Sequence, residues 1–250
     1  MYTLKKSLGQ HFLHDENICR KIVSALPVSE GMQVLEVGPG GGAITRLLKD
    51  VKGINFKAVE IDREKISYLK SRFPDLEGKL MEGDILRIKP PFEGQFSIIG
   101  NFPYNISSQI LFRILEWRAQ VPCVIGMFQK EVAQRIAADP GNKAYGILSV
   151  LTQAYYHVEY LFEVSEKCFT PPPRVKSAVI RFRLLEKPPD IQDEKKFFAL
   201  VKTAFHQRRK ILRNPLKPFF AREILNKDIF GKRAEALSVP EFIELSNQML

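Results

Sequence analysis

Cysteine is scarce in this 250-residue chain, and its distribution excludes two common kinds of stabilised scaffold. Cys19, Cys123 and Cys168 are far apart and form no C-x-x-C pair. The four histidines do not lie beside them at metal-ligand spacing. A disulfide framework and a structural zinc site are therefore not expected, and we expect no metal in this protein.

Long apolar runs are also missing. No stretch approaches the roughly 18 apolar residues that a membrane-spanning helix needs. The first residues, Met-Tyr-Thr-Leu-Lys-Lys, have no apolar run behind their charges, so no secretory signal is visible. We therefore expect no membrane partner and a reducing, cytoplasmic location. Positive charge, in contrast, is abundant: the net charge of +10 at pH 7 favours a polyanionic partner.

Predicted strands and helices alternate along most of the chain. Apolar runs that end at turn residues predict strands at 33–37, 56–60, 79–81, 96–99 and 123–128. Helical spacing of apolar residues predicts helices at 15–26, 43–50, 63–73, 107–117 and 130–138. This alternation predicts an α/β fold with a Rossmann-like, mostly parallel sheet and helices on both faces. Runs at 155–164 and 177–185 predict an antiparallel pair at the sheet edge.

The composition changes near Glu186, after which the chain is predicted to be helix and loop. We place a domain boundary there, with a larger α/β domain at 1–186 and a small helical domain at 187–250. Residues 195–235 hold twelve Lys or Arg against three Asp or Glu, a surplus of nine positive charges. The helical domain is therefore predicted to bind the polyanionic partner.

A glycine-rich segment at 36–43 follows a predicted strand and opens a helix. Its glycines, including Gly38 and Gly40, allow a tight turn and a close approach of ligand to backbone. Glu60 ends the next strand, 22 residues after Gly38, where a carboxylate can accept hydrogen bonds from both ribose hydroxyls. Asp84 is expected at the end of the third strand, beside an adenine amino group. These features together predict a nucleoside cofactor.

Glu36, directly before the glycines, bears on which cofactor this is. Sites of the NAD type place a pyrophosphate at the helix N-terminus. S-adenosylmethionine has no phosphate, and an acidic Glu36 suits its cationic end. The alternative for Glu36 is a buried carboxylate that caps the glycine loop, and both interpretations remain open.

The segment Asn101-Phe-Pro-Tyr104 follows the fourth predicted strand, at an edge where open α/β sheets bind ligands. An adenine amino nitrogen is a poor nucleophile because its lone pair is delocalised into the ring. If Asn101 Oδ1 and a loop carbonyl accept its two N–H groups, the nitrogen can pyramidalise toward a methyl donor. Tyr104 can stack on the base. The alternative is an ordinary turn with a core tyrosine.

These segments resemble a known family over nearly the whole chain. The matching motifs are Lys6-Ser-Leu-Gly-Gln-His-Phe-Leu13, Glu36-Val-Gly-Pro-Gly40, Val59-Glu-Ile-Asp62, Gly83-Asp84, Asn101-Phe-Pro-Tyr-Asn-Ile-Ser107, Gln129-Lys-Glu-Val-Ala133, Phe169-Thr-Pro-Pro-Pro173 and Phe205-His-Gln-Arg-Arg-Lys210. In this order they resemble the small-subunit ribosomal RNA adenine N6,N6-dimethyltransferases, of the bacterial type whose loss gives kasugamycin resistance.

The resemblance implies a substrate, a cofactor and a site. The substrate would be two adjacent adenosines in the 3′-terminal hairpin loop of small-subunit (16S) rRNA, dimethylated within a pre-assembled 30S particle during ribosome biogenesis. We expect the enzyme to act as a monomer. A target adenine would lie between Tyr104 and Phe169. S-adenosylmethionine would contact His11, Leu13, Gly38, Glu60, Asp84 and Asn101. Two positions depart from the family pattern: Phe102 is usually Leu, and His11 is usually Asn.

The basic run Arg208-Arg-Lys210, with Arg213, is the predicted RNA contact, and its alternative is a solvated helix face. Two other functions remain. A large-subunit rRNA adenine methyltransferase of the macrolide-resistance type shares the fold and the Asn-x-Pro-Tyr loop, although the segment 205–210 argues against it. The chain could also act mainly as a non-catalytic ribosome-assembly factor.

Overall fold

The structure is a computed structural model that describes residues 11–250. The part of the first family motif at Lys6 to Gln10 lies outside them. The strands are β1 (Phe12–Leu13), β2 (Met32–Val37), β3 (Ile54–Glu60), β4 (Leu80–Glu82), β5 (Ser97–Asn101), β6 (Cys123–Gln129), β7 (Tyr156–Val164), β8 (Phe169–Thr170) and β9 (Ser177–Leu184). The α-helices are α1 (Glu16–Ser24), α2 (Thr45–Leu48), α3 (Arg63–Arg72), α4 (Ser107–Glu116), α5 (Lys130–Ile136), α6 (Ile147–Gln153), α7 (Glu194–His206), α8 (Arg213–Leu216), α9 (Arg222–Leu225) and α10 (Val239–Asn247).

Seven strands among the described residues form one sheet in the order β4-β3-β2-β5-β6-β9-β7. The pairs β4–β3, β3–β2, β2–β5 and β5–β6 are parallel, and β9 pairs antiparallel with β6. The predicted Rossmann-like, mostly parallel α/β fold is confirmed, with β7 at the sheet edge. β1 and β8 form a separate two-stranded antiparallel ribbon.

The sequence pattern explains why the central strands lie inside. In β2, Val34 to Val37 are all buried, and β6 is buried from Cys123 to Phe128. Such continuous apolar runs are typical of parallel strands that helices cover on both faces. Each fully buried Ile or Leu side chain contributes roughly 1.5–3 kcal/mol relative to exposure. Helix α1 begins as predicted, because the Asp15 carboxylate accepts the Ile18 amide at 3.1 Å.

Parallel pairing brings the functional strand ends to one edge. Val37 at the end of β2 is in register with Val59 in β3, and Asn101 at the end of β5 is in register with Met127 in β6. The loops that follow β2, β3, β4 and β5 therefore emerge at the same edge of the sheet. Ligands bind at this edge in open α/β folds.

The chain divides into two compact units. The first extends to Ala133 and includes Glu159–Leu184; the second comprises Gln134–Val158 and Leu185–Leu250. The division between Leu184 and Leu185 lies close to the domain boundary expected at 186. The sequence contained no signal that residues 134–158 group with the C-terminal helices. The assignment of 1–186 to cofactor chemistry and 187–250 to RNA binding stays a prediction.

The second unit has its own aromatic core. The Phe205 ring lies 6.0 Å from the Tyr145 ring and 5.7 Å from the Phe242 ring, measured between centroids. Helix α10 begins with a capping box, in which Ser238 and Glu241 exchange side-chain and backbone hydrogen bonds. No helix within residues 11–250 is long and apolar enough to cross a membrane. The same residues contain no cluster of three or more His, Cys, Asp or Glu that could hold a metal ion.

Candidate active site

A cleft of about 390 Å³ opens at the carboxyl edge of the sheet in the first unit. This volume is within the range of small-molecule sites. The predicted residues that line it are His11, Leu13, Gly38, Gly40, Glu60, Asp84, Asn101 and Tyr104. The described lining contains the carboxylates of Glu36, Glu60 and Asp84 but neither Lys nor Arg. Such a surface suits a ligand without phosphate groups.

The glycine loop after β2 presents bare backbone to this cleft. Gly38 and Gly40 have φ angles of 68° and 53°, in the left-handed region that favours glycine. A Cβ atom on Gly40 would lie 3.1 Å from Cε1 of Phe12. A side chain at position 40 would therefore be strained and would crowd the ring that covers the loop.

Glu60 already holds the loops on either side of it. Its Oε2 accepts the Gly40 amide at 3.1 Å, and its Oε1 accepts the amides of Ile61 and Asp62 at 2.9 and 3.0 Å. A carboxylate has about four acceptor positions, so roughly one remains, on Oε2. Glu60 thus ties the glycine loop to the β3–α3 turn and can accept one further hydrogen bond without rearrangement. To accept hydrogen bonds from both ribose hydroxyls, Glu60 would have to share one acceptor position between a hydroxyl and a backbone amide.

Glu36 has the features of both interpretations. The residue is 1% exposed, and its Oε2 accepts the Thr45 hydroxyl at 2.7 Å. Burial raises the pKa of Glu36 to about 8; the Thr45 hydrogen bond opposes this shift, and nearby Glu60 adds to it. The carboxyl thus holds helix α2 against β2, as the capping alternative predicted, and it also lines the cleft. A cationic ligand group beside it would favour the ionised form.

Asp84 lies two residues beyond β4, and its Oδ1 accepts the Leu86 amide at 2.9 Å. The apolar residues that directly follow Asp84 and Glu60 were not predicted from the sequence. Ile61 is 53% exposed although it is a large hydrophobic residue, and Ile85 also lines the cleft. Their signal was available, because each apolar residue directly follows a strand-end carboxylate. They provide apolar surface beside the two acids.

Asn101 has a fixed orientation at the end of β5. Its Nδ2 donates to the His11 carbonyl at 3.1 Å. A carbonyl can only accept, so the amide nitrogen must point toward it. Oδ1 of Asn101 is therefore the atom that remains to accept a hydrogen bond at the cleft.

Tyr104 is fixed at both its ring and its hydroxyl. Its ring stacks on the His11 ring, with centroids 5.4 Å apart and planes inclined by 27°. Its hydroxyl shares a 2.5 Å hydrogen bond with Ser177 Oγ at the start of β9. Burial raises the pKa of the Tyr104 phenol, and the Ser177 bond opposes that shift. The role of Ser177 was not predicted from the sequence.

Phe102 departs from the family pattern, and its ring fills the core beneath the loop. The residue is 0% exposed, and its ring packs edge-on against Phe128 with centroids 5.2 Å apart. Gly100 and Gly126 leave the space for it. The larger side chain therefore supports the loop from below.

Phe169 does not line the cleft in this structure. It is 2% exposed, in register with Leu13 across the β1–β8 ribbon, and packs in the hydrophobic core. Its predicted contact with the target base stays a prediction, and in this conformation the ring is not placed to stack on a base in the cleft.

The four basic residues that were predicted to contact RNA have different surroundings. Arg208 Nε donates to Glu235 at 2.7 Å and its Nη2 donates to the Lys143 carbonyl at 2.6 Å. Arg213 Nε donates to the Leu225 carbonyl at 2.9 Å. Arg209 and Lys210 are exposed. The charge of Arg208 is therefore already paired, and Arg209 and Lys210 are the better placed for RNA phosphates.

Comparison with solved structures places nearly the whole chain in one fold class. A dimethyladenosine transferase from Plasmodium falciparum superposes with a TM-score of 0.79, at 24% identity over 96% of this chain and 99% of that one. The 23S rRNA methyltransferase ErmE gives a TM-score of 0.73, at 23% identity over 95% of this chain and 99% of that one. These likenesses establish the fold, that of the S-adenosylmethionine-dependent methyltransferases.

Sequence comparison identifies the family within that class. The Ribosomal RNA adenine dimethylase profile matches residues 1–248. Ribosomal RNA small subunit methyltransferase A of Flavobacterium johnsoniae is 52% identical over 98% of this chain and 95% of its own length. The protein of the same name from Parabacteroides distasonis is 50% identical over 97% and 92%, respectively. The chain belongs to the ribosomal RNA adenine dimethylase family.

Proposed function

We propose that this protein dimethylates the exocyclic amino groups of two adjacent adenosines in the 3′-terminal hairpin loop of 16S rRNA. The observation that carries the proposal is the Asn101–His11 hydrogen bond, which leaves Asn101 Oδ1 as an acceptor at the cleft. An adenine amino group has two N–H donors, and Asn101 Oδ1 can accept one of them. The loop that carries Pro103 and Tyr104 offers backbone carbonyls for the other.

The consequence for reactivity is electronic. Two accepted hydrogen bonds draw the amino group out of conjugation with the ring and direct its lone pair. This interaction strengthens as the nitrogen pyramidalises, so it favours the transition state over the ground state. Tyr104 supports the reaction by holding a base that has left its own stack. No strong base is required, because the proton becomes acidic once the nitrogen carries an additional methyl group.

The cleft residues fit S-adenosylmethionine. When bound, it supplies an electrophilic methyl group on a sulfonium centre. Glu60 would hold the ribose of the cofactor, and Asp84 would hold its adenine amino group. Ile61 would lie beside the adenine base, and Gly38 and Gly40 would lie against the methionine chain of the cofactor. The buried carboxylate of Glu36 would favour the cationic end of S-adenosylmethionine. The absence of Lys and Arg from the described lining argues against a pyrophosphate cofactor.

Several features favour the small subunit as the target. The relatives at about 50% identity are named for it. The likeness to ErmE, at 23% identity, extends to the fold alone and does not favour the large-subunit alternative. We further propose that the substrate is the pre-assembled 30S particle in the cytoplasm, that the enzyme acts as a monomer, and that any assembly role accompanies catalysis.

The direct test is methyl transfer to small subunits that lack the modification. Purified enzyme and labelled S-adenosylmethionine are incubated with unmethylated 30S particles, and mass spectrometry maps the methylated positions. We expect two adjacent dimethylated adenosines in the 3′-terminal hairpin. Methylation of large-subunit RNA instead, or of no RNA, would overturn the proposal.

A second measurement isolates Asn101. We expect Asn101→Ala to lower the single-turnover rate far more than the affinity for 30S particles. Asn101→Asp keeps an acceptor and should retain substantial activity, although it loses the Nδ2 donor to His11. If Ala and wild type transfer methyl at similar rates, the proposed role of Asn101 is wrong.

A further inference from the structure

The segment 171–176 joins β8 to β9 and has an unusual composition for a position beside an active site. Three consecutive prolines begin it, and Arg174, Val175 and Lys176 complete it, all three exposed. Val175 is 46% exposed. Proline fixes φ and has no N–H donor, so this stretch is stiff and cannot extend the neighbouring strand pairing. It therefore presents its two cations from a rigid support.

Both ends of this loop are bonded to residues of the cleft. The Pro171 carbonyl accepts His11 Nδ1 at 2.9 Å, and Ser177, directly after Lys176, bonds the Tyr104 hydroxyl at 2.5 Å. The Lys176 carbonyl also accepts the amide of Lys130 at 2.9 Å. His11 and Tyr104 stack on each other and line the cleft. The loop thus lies beside the cleft, next to the ring that we assign to the target base.

The charge around the loop is positive. Within residues 11–250, neither Arg174 nor Lys176 forms a salt bridge. The nearby carboxylate of Glu163 is paired with Lys130 at 2.6 Å. The hydrogen bond from Lys130 lowers the pKa of Glu163 most, while the charges of Lys130 and Lys176 lower it further. Three cations and one carboxylate leave two positive charges at this surface.

We propose that the loop 171–176 is an RNA-phosphate site, in which Arg174 and Lys176 bind the backbone that flanks the target adenosine. A base that turns into the cleft leaves its own phosphates at the mouth. Phosphate contacts fix the position of a nucleic acid without reading its sequence. Because Ser177, which directly follows the loop, bonds the Tyr104 hydroxyl, the backbone contact and the stacking ring share one rigid support. The loop belongs to the first unit, whereas the basic run at 208–213 belongs to the second. The inference rests on the proposed function.

The test compares RNA binding of full-length variants over a series of salt concentrations. The probe is an unmethylated RNA fragment containing the 3′-terminal hairpin of 16S rRNA. Each phosphate contact contributes about 0.7–0.9 to the slope of log affinity against log salt. Arg174→Ala with Lys176→Ala should therefore flatten the slope by about 1.4–1.8 and leave S-adenosylmethionine affinity unchanged. The exchange Arg174→Lys with Lys176→Arg keeps both charges and should retain the wild-type slope.

A matched control removes two charges at the opposite edge of the sheet. Lys52 and Lys79 are exposed and lie just before β3 and β4, at the amino ends of these parallel strands. Lys52→Ala with Lys79→Ala should leave the slope nearly unchanged. If the loop pair and this control pair give the same slope, the proposal is wrong. Methyl transfer by the wild type to 30S particles is measured in parallel. If the wild type transfers methyl but the loop variant has an unaltered salt slope, the loop site alone is overturned. If the wild type transfers no methyl, the proposed function is overturned.

Discussion

Gly126 provides a sharp test of how the core supports the catalytic loop. A Cβ atom at this position in β6 would lie 2.6 Å from Cε2 of Phe102 and 2.7 Å from Cε2 of Phe128. Carbon atoms prefer separations of about 3.5–4.0 Å, so both rings would have to move by roughly 1 Å. Both rings are 0% exposed and have no solvent to move into. We expect Gly126→Ala to lower the free energy of unfolding by about 1–3 kcal/mol, the usual cost of overpacking.

The loop should be affected as well, because Phe102 directly precedes Pro103 and Tyr104. Urea denaturation measures the stability, and single-turnover methyl transfer measures the loop. Phe102→Leu removes ring atoms, so Gly126→Ala should cost at least ~0.5 kcal/mol less in that background. Gly231, whose Cβ would meet nothing within 4 Å, is the control, and its change to Ala should stay within about 0.5 kcal/mol. An equal cost of Gly126→Ala in both backgrounds would refute the reasoning.

Two further predictions concern the two ligands. Glu60→Gln puts an amide nitrogen against a backbone N–H and removes the charge of the side chain. The affinity for S-adenosylmethionine, measured by calorimetry, should therefore fall by roughly 2–4 kcal/mol, about thirty- to a thousandfold. An unchanged affinity would show that Glu60 does not bind the cofactor. Arg209→Ala with Lys210→Ala should flatten the salt dependence of RNA affinity by about 1.4–1.8, whereas Arg208→Ala should mainly lower thermal stability by breaking its pair with Glu235. A double variant with the wild-type slope would identify a solvated surface.

The sheet and the position of its functional edge were predictable because their signals are local. Each central strand is a short apolar run that ends at a polar or glycine residue, and this pattern does not depend on distant residues. Once the strands are parallel, their carboxyl ends must meet. Glu60 and Asn101 therefore had to lie at one edge, and the structure brings them to one cleft. The glycine loop joins them because it directly follows β2.

Contacts between distant segments were not predictable in this way. Ser177 and Tyr104 are 73 residues apart, and no spacing rule connects a strand-initial serine with a loop tyrosine. Arg208 and Arg209 look alike in the sequence, but only Arg208 meets Glu235. Phe169 was expected at the cleft, yet pairing of the β1–β8 ribbon places it in the core. In each case the tertiary partner decides what the side chain can do.

The departure at position 11 shows how a backbone contact can preserve a site when a side chain changes. Asn101 is oriented by the carbonyl of residue 11, and any residue type offers that carbonyl. The His11 ring has separate contacts, because its Nδ1 hydrogen is given to the Pro171 carbonyl. Only Nε2 is left for a ligand, and in a neutral ring it is an acceptor. A ring that donates through Nδ1 in this way has no second N–H for a ligand, whereas the His11 carbonyl orients Asn101 independently of the ring.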